Sequence, residues 1–411
     1  MHTITLERIY QPLEYLLPSL TGRGWGWVFL LFPLKSSATA GDSTLSHRIE
    51  AEIVPGQILH TNRYLKGHNS EVRTMNHAFT ARLKYAFLPP ATSERAYIYK
   101  GVYQGVGLAF HDINPQLGRP LSAFIFQGAT IKTILPRLTL NYEWDFGVTM
   151  GWKSYDAKKN PFNRVIGSKM TAYIDADIYL RWMLSSHWDL NLGATFTHFS
   201  NGNTAMPNAG LNIVGAKLSA AYYLNRHPDR RDTAKPLPPF VRGWHTDLTL
   251  YGAWKRKGVD TSEGAYAIPD TFGVIGININ PMYEVNHWLN LGASIDAQYD
   301  HGSNITIDDE ALRETFWNGS EENIHIPAWH KQVSLGLSAR AEFVMPYFTI
   351  NFGIGHNLLN AKSQDFKGLY EILALKVALS RKFYLHVGYS LYKFHYPNNL
   401  MLGLGVRLGG G

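Results

Sequence analysis

A histidine and a serine stand two residues apart, His198 and Ser200, within the stretch THFSNGNTAMPNAGLN at 197–212. On a β-strand, residues i and i+2 point the same way. The pair therefore sets a base beside a nucleophile, the combination that activates a hydroxyl for attack on a carbonyl. Counting back in twos, their face continues as Phe196, Ala194, Leu192 and Leu190, whereas the opposite face reads Phe199, Thr197, Thr195, Gly193, Asn191 and Asp189. The next strand places Asn212 on the apolar face with Val214, Ala216, Leu218, Ala220 and Tyr222. Three polar residues thus end an apolar stripe. A soluble fold would bury them in its core; a membrane barrel would carry them on its outer wall.

The elements that must position this trio are strands. One face of the segment Leu138–Trp152 carries Leu138, Leu140, Tyr142, Trp144, Phe146, Val148, Met150 and Trp152, and the other carries Thr139, Asn141, Glu143, Asp145, Gly147, Thr149 and Gly151. Residues 171–182 alternate in the same way. The polar faces hold Thr, Asn, Gly, Tyr and paired charges, as a barrel lumen does, and Glu143, Asp145, Asp175 and Asp177 facing Arg181 and Lys217 are expected to form ion pairs there. Strands of 10–15 residues suffice to cross a bilayer when tilted. Eight are expected over 47–57, 77–88, 100–112, 121–134, 138–152, 170–183, 188–201 and 212–225. Eight more are expected over 244–254, 270–280, 288–300, 332–343, 347–356, 369–380, 383–394 and 399–408. Long and short connections alternate, the outer-membrane pattern, and parity puts His198 and Ser200 at the outward end of the seventh strand.

The expected fold class is an all-β, transmembrane antiparallel β-barrel of about 16 strands, as a single large barrel or two eight-stranded halves. The single barrel is favoured, because tandem barrels in one chain are rare. The expected organisation is a signal peptide (1–40), a barrel half carrying the site (41–225), a basic Pro-rich linker (226–243) and a second half (244–411). LNLGATFTHFS at 190–200 aligns with LHVGYSLYKFH at 385–395, so the second half reads as a degenerate duplicate or a chance likeness between hairpins.

Composition agrees with an envelope protein. The 411 residues include no cysteine, 23 Tyr, 20 Phe and 11 Trp, with a formal net charge of +7. That charge is spread along the chain and favours anionic partners in general, and no nucleic-acid-binding motif is present. The apolar run 25–34 precedes an Ala-x-Ala at 38–40 and reads as a secretory signal cleaved after Ala40. No segment approaches 18 uninterrupted apolar residues, so membrane-spanning helices are excluded. The 17 histidines form no zinc motif, and the acidic run 308–322 lacks the ligand spacing of a calcium loop. No cofactor and no metal are expected.

His198-Phe-Ser200-Asn201 followed by Pro207-Asn208-Ala-Gly210 resembles the signature of the lipid A 3-O-deacylases, the PagL-like outer-membrane esterases grouped with acyloxyacyl hydrolases. The likeness extends to about 47–225. It implies an eight-stranded barrel whose site faces the outer leaflet, with lipid A or lipopolysaccharide as substrate. It further implies Ser200 as nucleophile and His198 as general base. Asn201, Asn208 and the amides of the 201–204 loop, Gly202 among them, would stabilise the oxyanion. The family places Glu two residues after the last glycine of the motif, and this chain has Asn212. An Asn carbonyl can hold the ring through its N–H, as in Cys-His-Asn proteases, without stabilising the imidazolium by charge.

The loop 153–169 carries Lys153, Lys158, Lys159, Arg164 and Lys169 against Asp156 alone. At an outer leaflet it would attract lipid A phosphates; a plain solvated loop is the equal alternative. The competing reading of the whole chain is a non-catalytic barrel, either a pore or a scaffold.

Overall fold

The computed structural model describes residues 45–90, 93–226, 239–261, 264–268, 270–307, 324–363, 365–394 and 396–410. The expected signal at 1–40, most of the linker and the acidic run 308–322 lie outside the described residues.

Eight strands close the first barrel in chain order: β1 (Ser46–Ile58), β2 (His77–Leu88), β3 (Tyr103–Asp112), β4 (Gly118–Leu135), β5 (Leu138–Trp152), β6 (Met170–Met183), β7 (Trp188–Ser200) and β8 (Leu211–Tyr223). Each pairs antiparallel with its neighbour, and β1 closes on β8 with Ile53 opposite Leu218. The second barrel comprises β9 (Trp244–Lys255), β12 (Phe272–Asn286), β13 (Leu289–Asp300), β16 (Val333–Val344), β17 (Phe348–Leu359), β18 (Leu369–Ala378), β19 (Phe383–Tyr392) and β20 (Tyr396–Gly409), and closes as β20 pairs with β9. Two small hairpins decorate its loops, β10 (Gly258–Thr261) with β11 (Gly264–Ala267), and β14 (Thr306–Ile307) with β15 (Ile324–His325).

The expected 16 strands are all present, but the favoured single ring is corrected to its alternative, two eight-stranded barrels. The physical reason lies at the halfway point. After β8 the chain leaves the sheet, and β8 returns to β1 instead of accepting β9 as its neighbour. Barrel strands beyond eight open a wider lumen, whereas eight leave an interior that side chains can fill.

Both barrels are polar inside and apolar outside. The outer walls expose Ile53, Leu83, Leu108, Ile178, Leu192, Leu250, Ile277, Leu337 and Ile354 among many others. Inside the first barrel, Arg82 meets Asp175 at 2.5 Å and Glu52 at 2.7 Å. Lys84 meets Glu143 at 2.5 Å and Glu52 at 2.9 Å. Lys217 meets Glu143 at 2.8 Å, Glu52 at 3.1 Å and also Asp177. Of the expected lumen pairs, Lys217 takes Glu143 and Asp177, whereas Asp175 pairs with Arg82, Asp145 lies 3.9 Å from Arg82 and 4.0 Å from Lys84, and Arg181 turns toward Asp189 at 4.0 Å. The second lumen repeats the device with Lys376 between Asp247 (2.9 Å) and Glu342 (2.5 Å), and with Arg340 on Asp296 (2.6 Å). Charges removed from water need this pairing, because an uncompensated buried charge is far more costly than an apolar residue.

The barrels touch at corresponding ends. At the short-turn end, Tyr99 donates to the carbonyl of His287 (2.9 Å), Arg95 to the Tyr347 hydroxyl (2.6 Å), and the Trp144 indole N–H to Met345 sulfur (3.4 Å). Burial raises the Tyr99 phenol to about 12. At the long-loop end, the 201–210 loop of the first barrel meets β20 and the segment after β9 of the second.

Replacing Lys217 by Met leaves Glu52, Glu143 and Asp177 without their shared cation. The expected loss is about 3–5 kcal/mol of stability, read as a lower denaturant midpoint for the detergent-folded protein.

Candidate functional site

The site sits where β7 and β8 emerge at the long-loop end. Thr195, Thr197 and Phe199 are buried in the lumen, so His198 and Ser200 face outward, beyond exposed Phe196. Across the ladder His198 stands directly opposite Asn212, which is likewise on the outer face. Ala172 lies opposite Ser200 and Ile174 opposite His198 on β6. All three polar residues are half-buried.

What keeps this short stretch facing outward is the residue between the two. Phe199 is fully buried, packed against His111 (ring centroids 5.1 Å), Trp152 (5.2 Å) and Tyr173 (5.7 Å). These rings form an apolar plug above the ion-pair network. A strand pinned by such a knob cannot slip by one residue, the slip that would turn His198 and Ser200 into the lumen.

His198 Nδ1 donates to Asn212 Oδ1 at 2.6 Å, which leaves Nε2 as the basic nitrogen. The Ser200 hydroxyl is not hydrogen-bonded to the ring in this conformation. The two nevertheless border one point in space: a Cβ built on Gly210 would lie 3.2 Å from His198 Cε1 and 3.8 Å from Ser200 Cβ. Gly210 has φ +70° and stands over the pair without filling the gap between them.

The loop after Ser200 is tied by its own asparagines. Asn201 N–H donates to Asn208 Oδ1 (3.0 Å), Asn201 Nδ2 to the Ala205 carbonyl (2.9 Å), and Asn208 Nδ2 to Asn203 Oδ1 (3.2 Å). Asn201 thus spends its N–H and one carboxamide hydrogen on loop shape, and Asn208 its Oδ1 and one carboxamide hydrogen. Gly202, at φ +64°, donates its N–H to no protein group in these bonds. Of the three expected oxyanion residues, it has an uncommitted backbone donor beside Ser200.

The basic loop 153–169 lies against the far side of this loop, through Ala209 N–H to the Arg164 carbonyl (3.2 Å) and Gly210 N–H to the Val165 carbonyl (3.3 Å). Lys153 donates to the Pro115 carbonyl (2.8 Å), whereas Lys158, Lys159 and Arg164 are exposed. Asp156 accepts the backbone N–H groups of Lys158 and Lys159, which lowers its carboxyl below the usual range.

Sequence reasoning did not find Asn203. Its carboxamide reaches the second barrel, where Nδ2 donates to the carbonyls of Pro397 (2.9 Å) and Asn398 (3.3 Å). The signal available was its place in an Asn/Gly loop, which marks a turn and says nothing of a partner almost 200 residues away.

Comparison with known proteins gives two family matches. Residues 78–221 match the lipid A 3-O-deacylase (PagL) family, and residues 244–410 match the acyloxyacyl hydrolase C-terminal domain. No curated protein matches the chain. Among solved structures, the Acinetobacter baumannii outer membrane protein Omp33 is 9% identical, covering 89% of this chain and 99% of its own, with a TM-score of 0.16. The siderophore receptor PirA from Pseudomonas aeruginosa is 8% identical, covering 90% and 82%, with a TM-score of 0.21.

Truncating Phe199 to Ala is expected to cost about 3 kcal/mol or more and to let the end of β7 fray. Hydrogen exchange at 197–201 should accelerate ahead of the rest of the strand.

Proposed function

The chain belongs to the PagL family of outer-membrane lipid A deacylases, and we propose that it hydrolyses the ester of a 3-linked hydroxyacyl chain through Ser200, His198 and Asn212. The observation that carries the reading is the His198–Asn212 hydrogen bond of 2.6 Å, formed on the outward face that also holds Ser200. A catalytic trio on that face meets acyl chains without drawing the lipid into water.

In this mechanism Ser200 Oγ attacks the ester carbonyl carbon while His198 Nε2 takes its proton. The tetrahedral oxyanion is met by the Gly202 N–H, with the second hydrogens of the Asn201 and Asn208 carboxamides as further donors. The carbon–oxygen bond to the sugar breaks, and the imidazolium returns the proton to the sugar oxygen. Water, deprotonated by the same nitrogen, then attacks the acyl-serine ester and releases the fatty acid. Asn212 holds the ring in the tautomer that keeps Nε2 basic. No step calls for a metal or cofactor. The exposed Lys158, Lys159 and Arg164 would attract the phosphates of lipid A, with Lys153 at the base of the same loop.

A signal peptide ending at Ala40 would deliver the chain to the envelope. The runner-up, a pore, is disfavoured by lumens occupied by paired charges and, in the first barrel, by the aromatic plug.

Two measurements check the reading. Mass spectrometry of lipid A from cells expressing the wild type should show loss of one hydroxyacyl chain, and Ser200→Ala should leave lipid A intact; identical patterns would end the enzyme proposal. Restoring the family's carboxylate with Asn212→Glu should raise kcat about tenfold or more, since Asp-to-Asn exchange at this role costs about 10⁴ elsewhere. Steady-state kinetics on a micellar ester would record the change.

A further inference from the structure

Among the described residues the second barrel has no counterpart of the trio, yet it touches the first at the loop that follows Ser200. Three contacts converge there. Asn203 Nδ2 donates to the carbonyls of Pro397 (2.9 Å) and Asn398 (3.3 Å) on β20. The Arg256 N–H, just past β9, donates to the Asn203 carbonyl at 2.9 Å. Leu400 of β20 packs on Gly202 so closely that a Cβ there would lie 2.5 Å from Leu400 Cδ2.

Asn203 therefore bonds in three directions. Its side chain and its carbonyl hold the second barrel, and its Oδ1 accepts from Asn208, the motif residue that in turn receives the Asn201 N–H. It also has φ +64°, a left-handed conformation that a non-glycine residue adopts at a cost. Gly202 at φ +64° gives the segment two such residues in succession. The return from Ser200 to Asn208 carries five hydrogen bonds of its own, and the second barrel adds a hold from outside.

We propose that the second barrel supports the active site from outside, with Asn203 as the positioning residue through which β20 and the segment after β9 fix the loop that carries Gly202. The proposal rests on the esterase reading and deepens it. It assigns the C-terminal domain a role in the reaction: the second barrel sets the geometry of the oxyanion donor without touching substrate. A loop released from it would still bind lipid at the outer wall but would lose stabilisation of the tetrahedral state, an effect on kcat more than on KM.

The test uses the full chain folded in detergent micelles, with p-nitrophenyl myristate as the ester. Asn203→Asp keeps an acceptor for Asn208 but turns a carboxylate toward two carbonyl oxygens. Asn203→Gly keeps the left-handed backbone and the Arg256 bond while removing the carboxamide. Leu400→Ala loosens the second barrel's grip from the other side. Each variant should migrate as a folded, heat-modifiable barrel. Asn203→Asp is expected to lower kcat at least tenfold with KM within twofold, and Asn203→Gly and Leu400→Ala to fall between it and the wild type. Amide exchange at 202–204 should quicken in the same order. A kcat within twofold of wild type in folded Asn203→Asp, or unchanged exchange at 202–204, would overturn the proposal. Should Asn203→Asp fail to fold, the same two criteria apply to Leu400→Ala. A wild type with no esterase activity would remove the proposed function, and unequal exchange between wild type and variants would still establish the clamp.

Discussion

Inside a bilayer no water is available to a backbone N–H or carbonyl, so a strand can cross only as a member of a closed ring. The closure of β1 on β8, and of β20 on β9, is the constraint from which the rest of this molecule follows. A ring of eight is narrow. Its inward residues must pack against one another across the lumen, and here they do so as Arg, Lys, Asp, Glu and Tyr in contact. An interior so filled has no room for a glycolipid. Chemistry on such a scaffold is left with the outer wall and the rim.

The candidate site lies where those two meet. At the end of β7 the alternation that sends Thr195, Thr197 and Phe199 inward places His198 and Ser200 outside. Below the rim, that outer phase is occupied by Phe196, Leu192 and Leu190, which suit hydrocarbon. The Phe199 knob in its aromatic socket ties the interior of the barrel to the orientation of the residues on either side of it. Packing within the lumen and polar geometry on the wall are thus one problem, solved by a single residue's burial.

Much of this was legible in the chain. Period-two alternation is a local property, and it located all sixteen strands, most within three residues at either end, with β12 running six residues past its expected end. It also separated the outward faces from the inward ones, because side-chain direction in a regular strand depends on parity; Trp152, expected outside with Met150, is the exception, turned into the lumen past Gly151 at φ +93°. That Asn212 shares the outward face with His198 was legible for the same reason; that the two stand directly opposite was not, because parity leaves the register free to shift by two. Ring number was not legible. Whether β8 accepts β1 or β9 depends on which edge reaches it, and nothing in the pattern of either strand distinguishes the two. Asn203 was hidden for a related reason, since its partners Pro397 and Asn398 belong to the other ring. Loop asparagines all look alike until the surface opposite them is known.

The outward placement of the trio also decides what kind of kinetics such a molecule would obey. A reactant lodged in the same leaflet arrives by sliding sideways, and neither folding into a cleft nor escape through bulk solvent enters the cycle. The quantity that governs encounter is then the packing fraction of the target among its neighbours in two dimensions. Diluting the surrounding buffer would change nothing, whereas crowding the sheet with inert amphiphiles would slow every turnover.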